Sequence, residues 1–276
     1  MAGVLHVVAT PIGNLGDLSD RARETLAAVD LVVAEDTRRT GRLLQSIGVH
    51  ASLRSFFEGN ERERTPAIVR ELADGRSVAL VSDGGMPLVS DPGYRLVRAC
   101  IEAGIDVRVV PGPSAVLAAL VVSGLPTDRF AFEGFLPRAA GERRARLTAV
   151  AADPRTLVFF ESPRRVPGML RDLVATMGDR RVALCRELTK LHEEVRRGPA
   201  SEVLGGLGET PLRGEVVVVV AGDRVGTPVD LDAAVAEARG LVAAGRRKRD
   251  AAHAVADRLG ISANQVYRAL LDADVP

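Results

Sequence analysis

Leu80-Val81-Ser82-Asp83-Gly84-Gly85-Met86-Pro87-Leu88-Val89-Ser90-Asp91-Pro92-Gly93 is the stretch on which the reading of this chain turns. The run from Ser77 to Val81 is apolar and stops abruptly at Ser-Asp-Gly-Gly. That pattern predicts a buried strand ending at a polar, flexible corner. In open α/β sheets, ligands bind beyond the carboxyl ends of the strands. Gly84 and Gly85 carry no Cβ, so backbone there can approach a ligand closely. Asp83 can accept hydrogen bonds from a ribose or an amino group, and Asp91-Pro92-Gly93 closes the loop with turn chemistry. An ordinary strand-to-helix connection explains the same residues equally well. The loop has to be read with its neighbours.

Outward from it, the first part of the chain alternates strand and helix patterns. Val4 to Ala9 is a β-branched run that breaks into Thr10-Pro11-Ile12-Gly13-Asn14, and Ser19 is a suitable N-cap for a helix. Leu31 to Ala34 is a strand ending in Glu35-Asp36-Thr37-Arg38-Arg39-Thr40. Those charges fit either a site or a capped helix start. A helix is expected from about Thr65 to Ala73, another after Pro92 to about Ala103, and a strand from Ile105 to Val110 ending in Pro111-Gly112-Pro113. The alternation predicts an α/β domain over 1–113 with a largely parallel sheet.

A second α/β domain is expected over 114–227. Its patterns are a small-residue helix from Ala115 to Ser123 and strands near Arg129–Pro137, Thr156–Phe160, Val182–Cys185 and Val216–Val220. From 228 to 276 the pattern is helical, with Pro228 as the break. There Arg246-Arg247-Lys248-Arg249 precedes two helices separated by Gly260-Ile261-Ser262. That arrangement reads as helix-turn-helix or as a helical hairpin with a solvated basic face.

Composition narrows the class. The 276 residues suggest about two domains. Thirty-seven basic against thirty-six acidic residues give a net charge of +1, so nucleic-acid contacts have to come from local patches. Cys100 and Cys185 lie far apart in apolar surroundings and read as buried thiols of a reducing compartment. No secretory leader pattern and no membrane span is recognised, which predicts a cytoplasmic protein. The G-x-G-x-x-G and Walker patterns are absent, and the four histidines lack metal-ligand spacing. No covalent nucleophile or metal centre is expected; a ligand bound in an interdomain cleft is.

A resemblance then emerges from an ordered set of motifs. They include Val8-Ala9-Thr10-Pro11-Ile12-Gly13-Asn14-Leu15, Ala34-Glu35-Asp36-Thr37-Arg38-Arg39-Thr40, Asn60-Glu61-Arg62-Glu63-Arg64 and Ser90-Asp91-Pro92-Gly93-Tyr94-Arg95. Pro111-Gly112-Pro113-Ser114-Ala115, Phe132-Glu133-Gly134-Phe135-Leu136-Pro137-Arg138, Glu161-Ser162-Pro163 and Arg186-Glu187-Leu188-Thr189-Lys190 complete it. Over residues 4–221 the chain resembles the bacterial 16S ribosomal RNA 2′-O-methyltransferase family called small subunit methyltransferase I, of the tetrapyrrole methylase superfamily.

The resemblance implies a class III S-adenosylmethionine-dependent fold: two α/β domains with the cofactor in the cleft between them, used as a homodimer. The implied reaction is methylation of the ribose 2′-hydroxyl of a decoding-region cytidine, with 16S ribosomal RNA in the small ribosomal subunit as partner. Carried over, the cofactor contacts are Pro11, Asp83, Gly84, Gly85, Ser114, Ala115, Phe160, Glu161, Cys185 and Glu187. Glu35, Arg38, Lys190 and Glu193 are the candidates for the catalytic cluster. Arg38, Arg39, Arg138, Arg143, Arg144, Arg246, Arg247, Lys248 and Arg249 are the candidates for RNA contact. The chain also departs from the family. Where the family carries Ser-Asp-Ala-Gly-Thr-Pro-Gly-Ile, Met86 replaces a hydroxyl residue and Leu88 a glycine. Family histidines near Phe57, Gly59 and Arg164 are missing. Rival readings are a tetrapyrrole-precursor methyltransferase on the same fold and a non-catalytic ribosomal RNA-binding factor.

Overall fold

The computed structural model describes residues 2–208, 211–223, 231–259 and 261–272. The chain divides into two compact units, Met1–Gly222 and Asp223–Pro276.

In the first unit, β1 (Val4–Val8), β2 (Leu31–Ala34), β3 (Leu53–Ser55), β4 (Val78–Val81) and β5 (Asp106–Val110) form an all-parallel sheet in the order β3-β2-β4-β1-β5. Every residue of β2 and β4 is buried, as expected of strands covered on both faces. Helices α1 (Asp20–Ala28) and α2 (Thr37–Ser46) place Leu26 and Leu44 against Val8, Val32 and Ala34. On the other face, α3 (Glu58–Ala73) and α4 (Tyr94–Glu102) place Ile68, Leu72 and Leu96 against Leu5, Val33 and Leu80. Ser19 caps α1 as expected, its Oγ accepting from the Ala22 N–H at 3.1 Å.

α3 corrects the sequence reading, which began the helix at Thr65. It starts two turns earlier because the Asn60 Oδ1 accepts from the Phe57 N–H at 2.8 Å and closes the first turn. Pro66 lies inside the helix. A proline there removes one backbone hydrogen bond and crowds the carbonyl four residues before it, a cost that packing of the helix on the sheet offsets.

β1 and β4 are neighbours, yet the chain leaves them towards opposite edges of the sheet, β1 to β2 and β4 to β5. Their carboxyl ends therefore flank the crevice in which such sheets bind ligands. There the two loops are stitched together. Thr10 N–H donates to the Gly85 carbonyl at 2.9 Å, Gly85 N–H donates to the Thr10 carbonyl at 3.0 Å, and Thr10 Oγ1 donates to the Ser82 carbonyl at 3.1 Å.

The second half of the unit is a mixed sheet of β6 (Phe130–Phe135), β7 (Thr156–Glu161), β8 (Arg181–Arg186), β9 (Glu194–Pro199) and β10 (Val216–Val220), ordered β6-β7-β10-β8-β9. Only β6 and β7 run parallel, with a bulge between Phe132 and Gly134. Helix α5 (Ala115–Ser123) packs Val116, Ala119 and Leu120 onto Val158, Ala183 and Val217 of one face. Helices α6 (Ala140–Ala149), α7 (Val166–Met177) and α8 (Ala200–Gly205) cover the other face, with Leu147, Leu170 and Val203 in its core.

The second unit packs α9 (Leu231–Ala243), α10 (Lys248–Leu259) and α11 (Ala263–Asp272) around Val235, Val255, Val266 and Leu270. Gly240 does not interrupt α9. The expected break at Pro228 and the turn residue Gly260 lie outside the described residues. Among the described residues, no helix is long and apolar enough to cross a membrane.

Gly85 has φ +88, and a Cβ there would stand 3.3 Å from Ile12 Cγ2. Gly85→Ala is expected to lower stability by about 1–2 kcal/mol, the cost of a left-handed L-residue. Urea unfolding measures this, and an unchanged midpoint would mean that the corner has other ways to fold.

Candidate active site

Between the two sheets of the first unit lies a cavity of about 360 Å³. The first half contributes Arg39, Asp83, Gly84, Gly85, Met86, Val89, Ser90 and Asp91, with Ser114, Ala115 and Val116 at the start of α5. The second contributes Phe135, Phe160 to Pro163, Cys185, Leu188 and Gly214 to Val217. The Ser114 side chain caps α5 by accepting from the Leu117 N–H. Phe160 is braced by Phe132, with ring centroids 4.8 Å apart, and by Phe135 at 5.6 Å. One wall is therefore apolar, and the opposite wall is rich in backbone and carboxylate.

Backbone strain concentrates at this cavity. Among the described residues, the non-glycine residues with positive φ are Leu88 (+71°), Ser90 (+66°), Glu187 (+52°) and Thr189 (+68°). The first pair lies in the loop after β4 and the second in the loop after β8. Such conformations persist only where surrounding contacts over-determine them. Glu61 supplies those contacts for the first loop. Its buried Oε1 accepts from the Gly93 and Arg95 N–H groups, both at 3.0 Å, fixing the loop where it enters α4. Leu88 is partly buried against the core beneath α4.

The second loop is tied by Lys190. Its Nζ donates to Glu187 Oε1 at 2.8 Å and Glu215 Oε2 at 3.0 Å, and Glu187 Oε1 also accepts from the Glu215 N–H at 2.9 Å. Gly214 leaves the space for this, since a Cβ there would collide with Glu187 Oε1. Burial alone would lower the Lys190 pKa, but the two carboxylates together raise it. The same contact with Lys190 lowers that of Glu187.

Carboxylates crowd the other wall. Burial, reinforced by Glu35, pushes the Asp91 carboxyl up to about 6. Burial and then Asp83 raise that of Glu35. The side chain of Asp36 is held far below the usual range by its hydrogen bonds with Arg38. Asp83 joins the loops, accepting from the Asp36 N–H at 3.1 Å while its Oδ2 lies 3.4 Å from Arg39. Among the described residues, no group of three His, Cys, Asp or Glu side chains is placed to hold a metal ion.

A smaller cavity of about 210 Å³ adjoins the first. It is lined by Thr10, Pro11, Gly13, Leu15, Thr40, Leu43 and Ser82, and it shares Arg39 and Asp83 with the larger one.

Of the ten residues expected at the cofactor, Asp83, Gly84, Gly85, Ser114, Ala115, Phe160, Glu161 and Cys185 line the large cavity. Pro11 lines the small one, and Glu187 lines neither, being turned to Lys190. The Glu161 carboxylate faces away, because alternation along β7 puts it on the side of Leu157 and Phe159. It pairs there with Arg165 at 3.1 Å, and Arg165 donates to the Leu136 and Pro137 carbonyls. Only the backbone end of Glu161 remains for a ligand.

Glu35, Arg38, Lys190 and Glu193 line neither cavity. Glu193 accepts from the Thr189 N–H at 2.7 Å and so shapes the second loop. Arg38 is exposed and paired with Asp36 at 2.7 Å. Arg143 is mostly buried against Asp172 at 2.6 Å, and Arg144 lies 3.5 Å from the same carboxylate. Asp91 and Gly214 to Val217 were not anticipated as lining residues. The signal for Asp91 was the Asp-Pro-Gly turn, read as loop closure alone.

The family model for Tetrapyrrole (Corrin/Porphyrin) Methylases matches residues 4–204. The chain is 45% identical over 273 residues to a protein of Escherichia coli named ribosomal RNA small subunit methyltransferase I, covering 98% of this chain and 95% of that one. It is 49% identical over 220 residues to a protein of the same name from Thermotoga maritima, covering 80% and 99%. Among solved structures, the methyltransferase CobJ superposes with a TM-score of 0.61 at 20% identity, covering 81% of this chain and 95% of that one.

Asp91 gives a test of the carboxylate wall. Its carboxyl is favoured neutral in the folded state, so its stabilising contribution is complete below about pH 4 and lost as pH rises through about 6. Asp91→Asn is therefore expected to be more stable than wild type at pH 8, by on the order of 2–3 kcal/mol, with the gain vanishing near pH 4. Thermal melts across that range measure it, and a constant difference would place Asp91 in solvent.

Proposed function

The chain belongs to the ribosomal RNA small subunit methyltransferase I family within the tetrapyrrole methylases, and we propose that it transfers a methyl group from S-adenosylmethionine to the ribose 2′-hydroxyl of a cytidine in the decoding region of 16S ribosomal RNA. The observation that carries this reading is the strained, two-sided cavity, whose surfaces suit a cofactor that is partly flat and apolar and partly charged. Phe160, Val116, Leu188 and Val217 offer the apolar surface for an adenine. Gly84, Gly85 and Gly214 allow close approach of backbone, and Asp83 and Asp91 offer negative charge to a sulfonium and its amino group. Bound there, the cofactor supplies an activated methyl on a cationic sulfur.

The residues of this chain then have modest work to do. Alignment of donor and acceptor can supply much of the acceleration, which is what two over-determined loops provide. Lys190, kept protonated by Glu187 and Glu215, cannot take a proton from the acceptor and serves to hold the loop. A carboxylate suits that task better.

RNA is met by exposed cations. Arg39 stands between the two cavities, while Arg143 is occupied by Asp172 and holds α6 to α7. In the second unit, Arg246, Arg249 and Arg268 are exposed and carry no ion pair among the described residues, whereas Arg247 pairs with Asp250. These cations favour RNA phosphate over a small tetrapyrrole as partner. The exposed apolar residues Val109, Leu117 and Val121 support a homodimer.

The test is methyl transfer from labelled cofactor to small subunits lacking the modification, mapped by mass spectrometry. One 2′-O-methylated decoding-region cytidine is expected, with the enzyme sedimenting as a dimer. Arg246→Ala with Arg249→Ala should lower subunit affinity and flatten its salt dependence. Methylation elsewhere, or none, rejects the substrate; a monomer rejects the dimer; an unchanged salt slope rejects the cation assignment.

A further inference from the structure

Of the residues that line the small cavity, only Pro11 and Asp83 were among those expected at the cofactor. Its position is specific: it opens at the carboxyl ends of β1, β2 and β4, and its wall with the large cavity is Arg39 and Asp83. A transferred group has to pass from donor to acceptor where the two bound molecules touch, so the residues shared by both cavities mark that passage. Resting on the reading above, the geometry points to the small cavity as the seat of a single unstacked acceptor nucleoside, with Asp83 and Arg39 at the transfer point.

Its chemistry matches that occupant. Pro11, Leu15 and Leu43 give apolar surface against which a base ring can lie, and Thr10, Thr40 and Ser82 add polar groups. About 210 Å³ holds one nucleoside and not a stacked pair, so the acceptor leaves its neighbours to enter. Gly13 closes the floor, where a Cβ would strike Lys190 Cγ at 2.4 Å. The stem of Lys190 thus packs on the loop after β1, linking the second sheet to the rim of the acceptor seat. At the shared wall, one Asp83 oxygen is engaged by the Asp36 N–H, and the other lies 3.4 Å from Arg39.

The step balances. The 2′-O–H bond breaks with its proton passing to the Asp83 carboxylate, the oxygen forms a bond to the methyl carbon, and the sulfur–methyl bond breaks. The electron pair stays on sulfur, and the sulfonium becomes a neutral thioether. Arg39, 3.4 Å from Asp83, offsets the negative charge developing on oxygen.

Three variants test this on the full chain with unmodified small subunits. Leu43→Phe narrows the small cavity, and Leu15→Trp does so from a half-exposed position that costs little to fold. Both are expected to raise KM for subunits at least tenfold and to weaken cofactor-free subunit retention on filters. Their Kd for S-adenosylmethionine, by calorimetry, should stay within about twofold of wild type. Asp83→Asn keeps the acceptor oxygen for Asp36 and is expected to lower kcat a hundredfold or more with a small change in KM. Unchanged subunit KM in both cavity variants overturns the assignment, as does loss of cofactor binding in them, which would make the small cavity part of the cofactor site. Near-normal kcat in Asp83→Asn removes Asp83 from the transfer. If wild-type enzyme itself methylates no subunit, it is the proposed function that fails.

Discussion

The pair of hydrogen bonds between Thr10 and Gly85 is the constraint on which the site depends. Parallel strands end with their loops unpaired, and loops of glycine and proline have many conformations to lose. By adding one antiparallel bridge beyond the ends of β1 and β4, the chain fixes both loops relative to each other. The bridge is possible only because Gly85 reaches φ +88 with Ile12 and Pro113 close by. Everything on the first-sheet side of the cavity hangs from it. Asp83 precedes the bridge by two residues and Pro11 follows it by one, so the two cavities share a rigid frame.

Stability is spent at the same place. Four left-handed non-glycine residues and a crowd of carboxylates border the ligand space, and each is held by a contact from outside it: Glu61 for the β4 loop, Lys190 and Glu193 for the β8 loop. Charges that repel one another when the cavity is empty are well placed to receive a cation. This is the expected signature of pre-organisation, in which strain is compensated by packing elsewhere so that a ligand meets a shaped site.

Much of this was legible from residues alone. The strand-end corners at Ala9, Ala34 and Val81 could be placed because apolar runs stop there at Gly, Pro and Asp, and glycine at 84 and 85 announced close approach. Three things could not be read. The start of α3 depended on the Asn60 cap, which holds the turn at Phe57 well before the expected start at Thr65. The outward turn of Glu161 follows from which face of β7 meets the cavity, which motif spacing does not state. Arg143 looked like a free cation because Asp172, its partner, is 29 residues away. Charge runs report composition, whereas the pairing of each charge belongs to the tertiary fold.

The central claim is that the two strained loops and the start of α5 enclose the cofactor. Hydrogen–deuterium exchange on the intact protein, with and without saturating S-adenosylhomocysteine, tests it most directly. The account predicts protection confined to residues 82–91, 114–118, 160–163, 185–190 and 214–217, with the second unit unchanged. Protection centred elsewhere, or none at saturation, would contradict it.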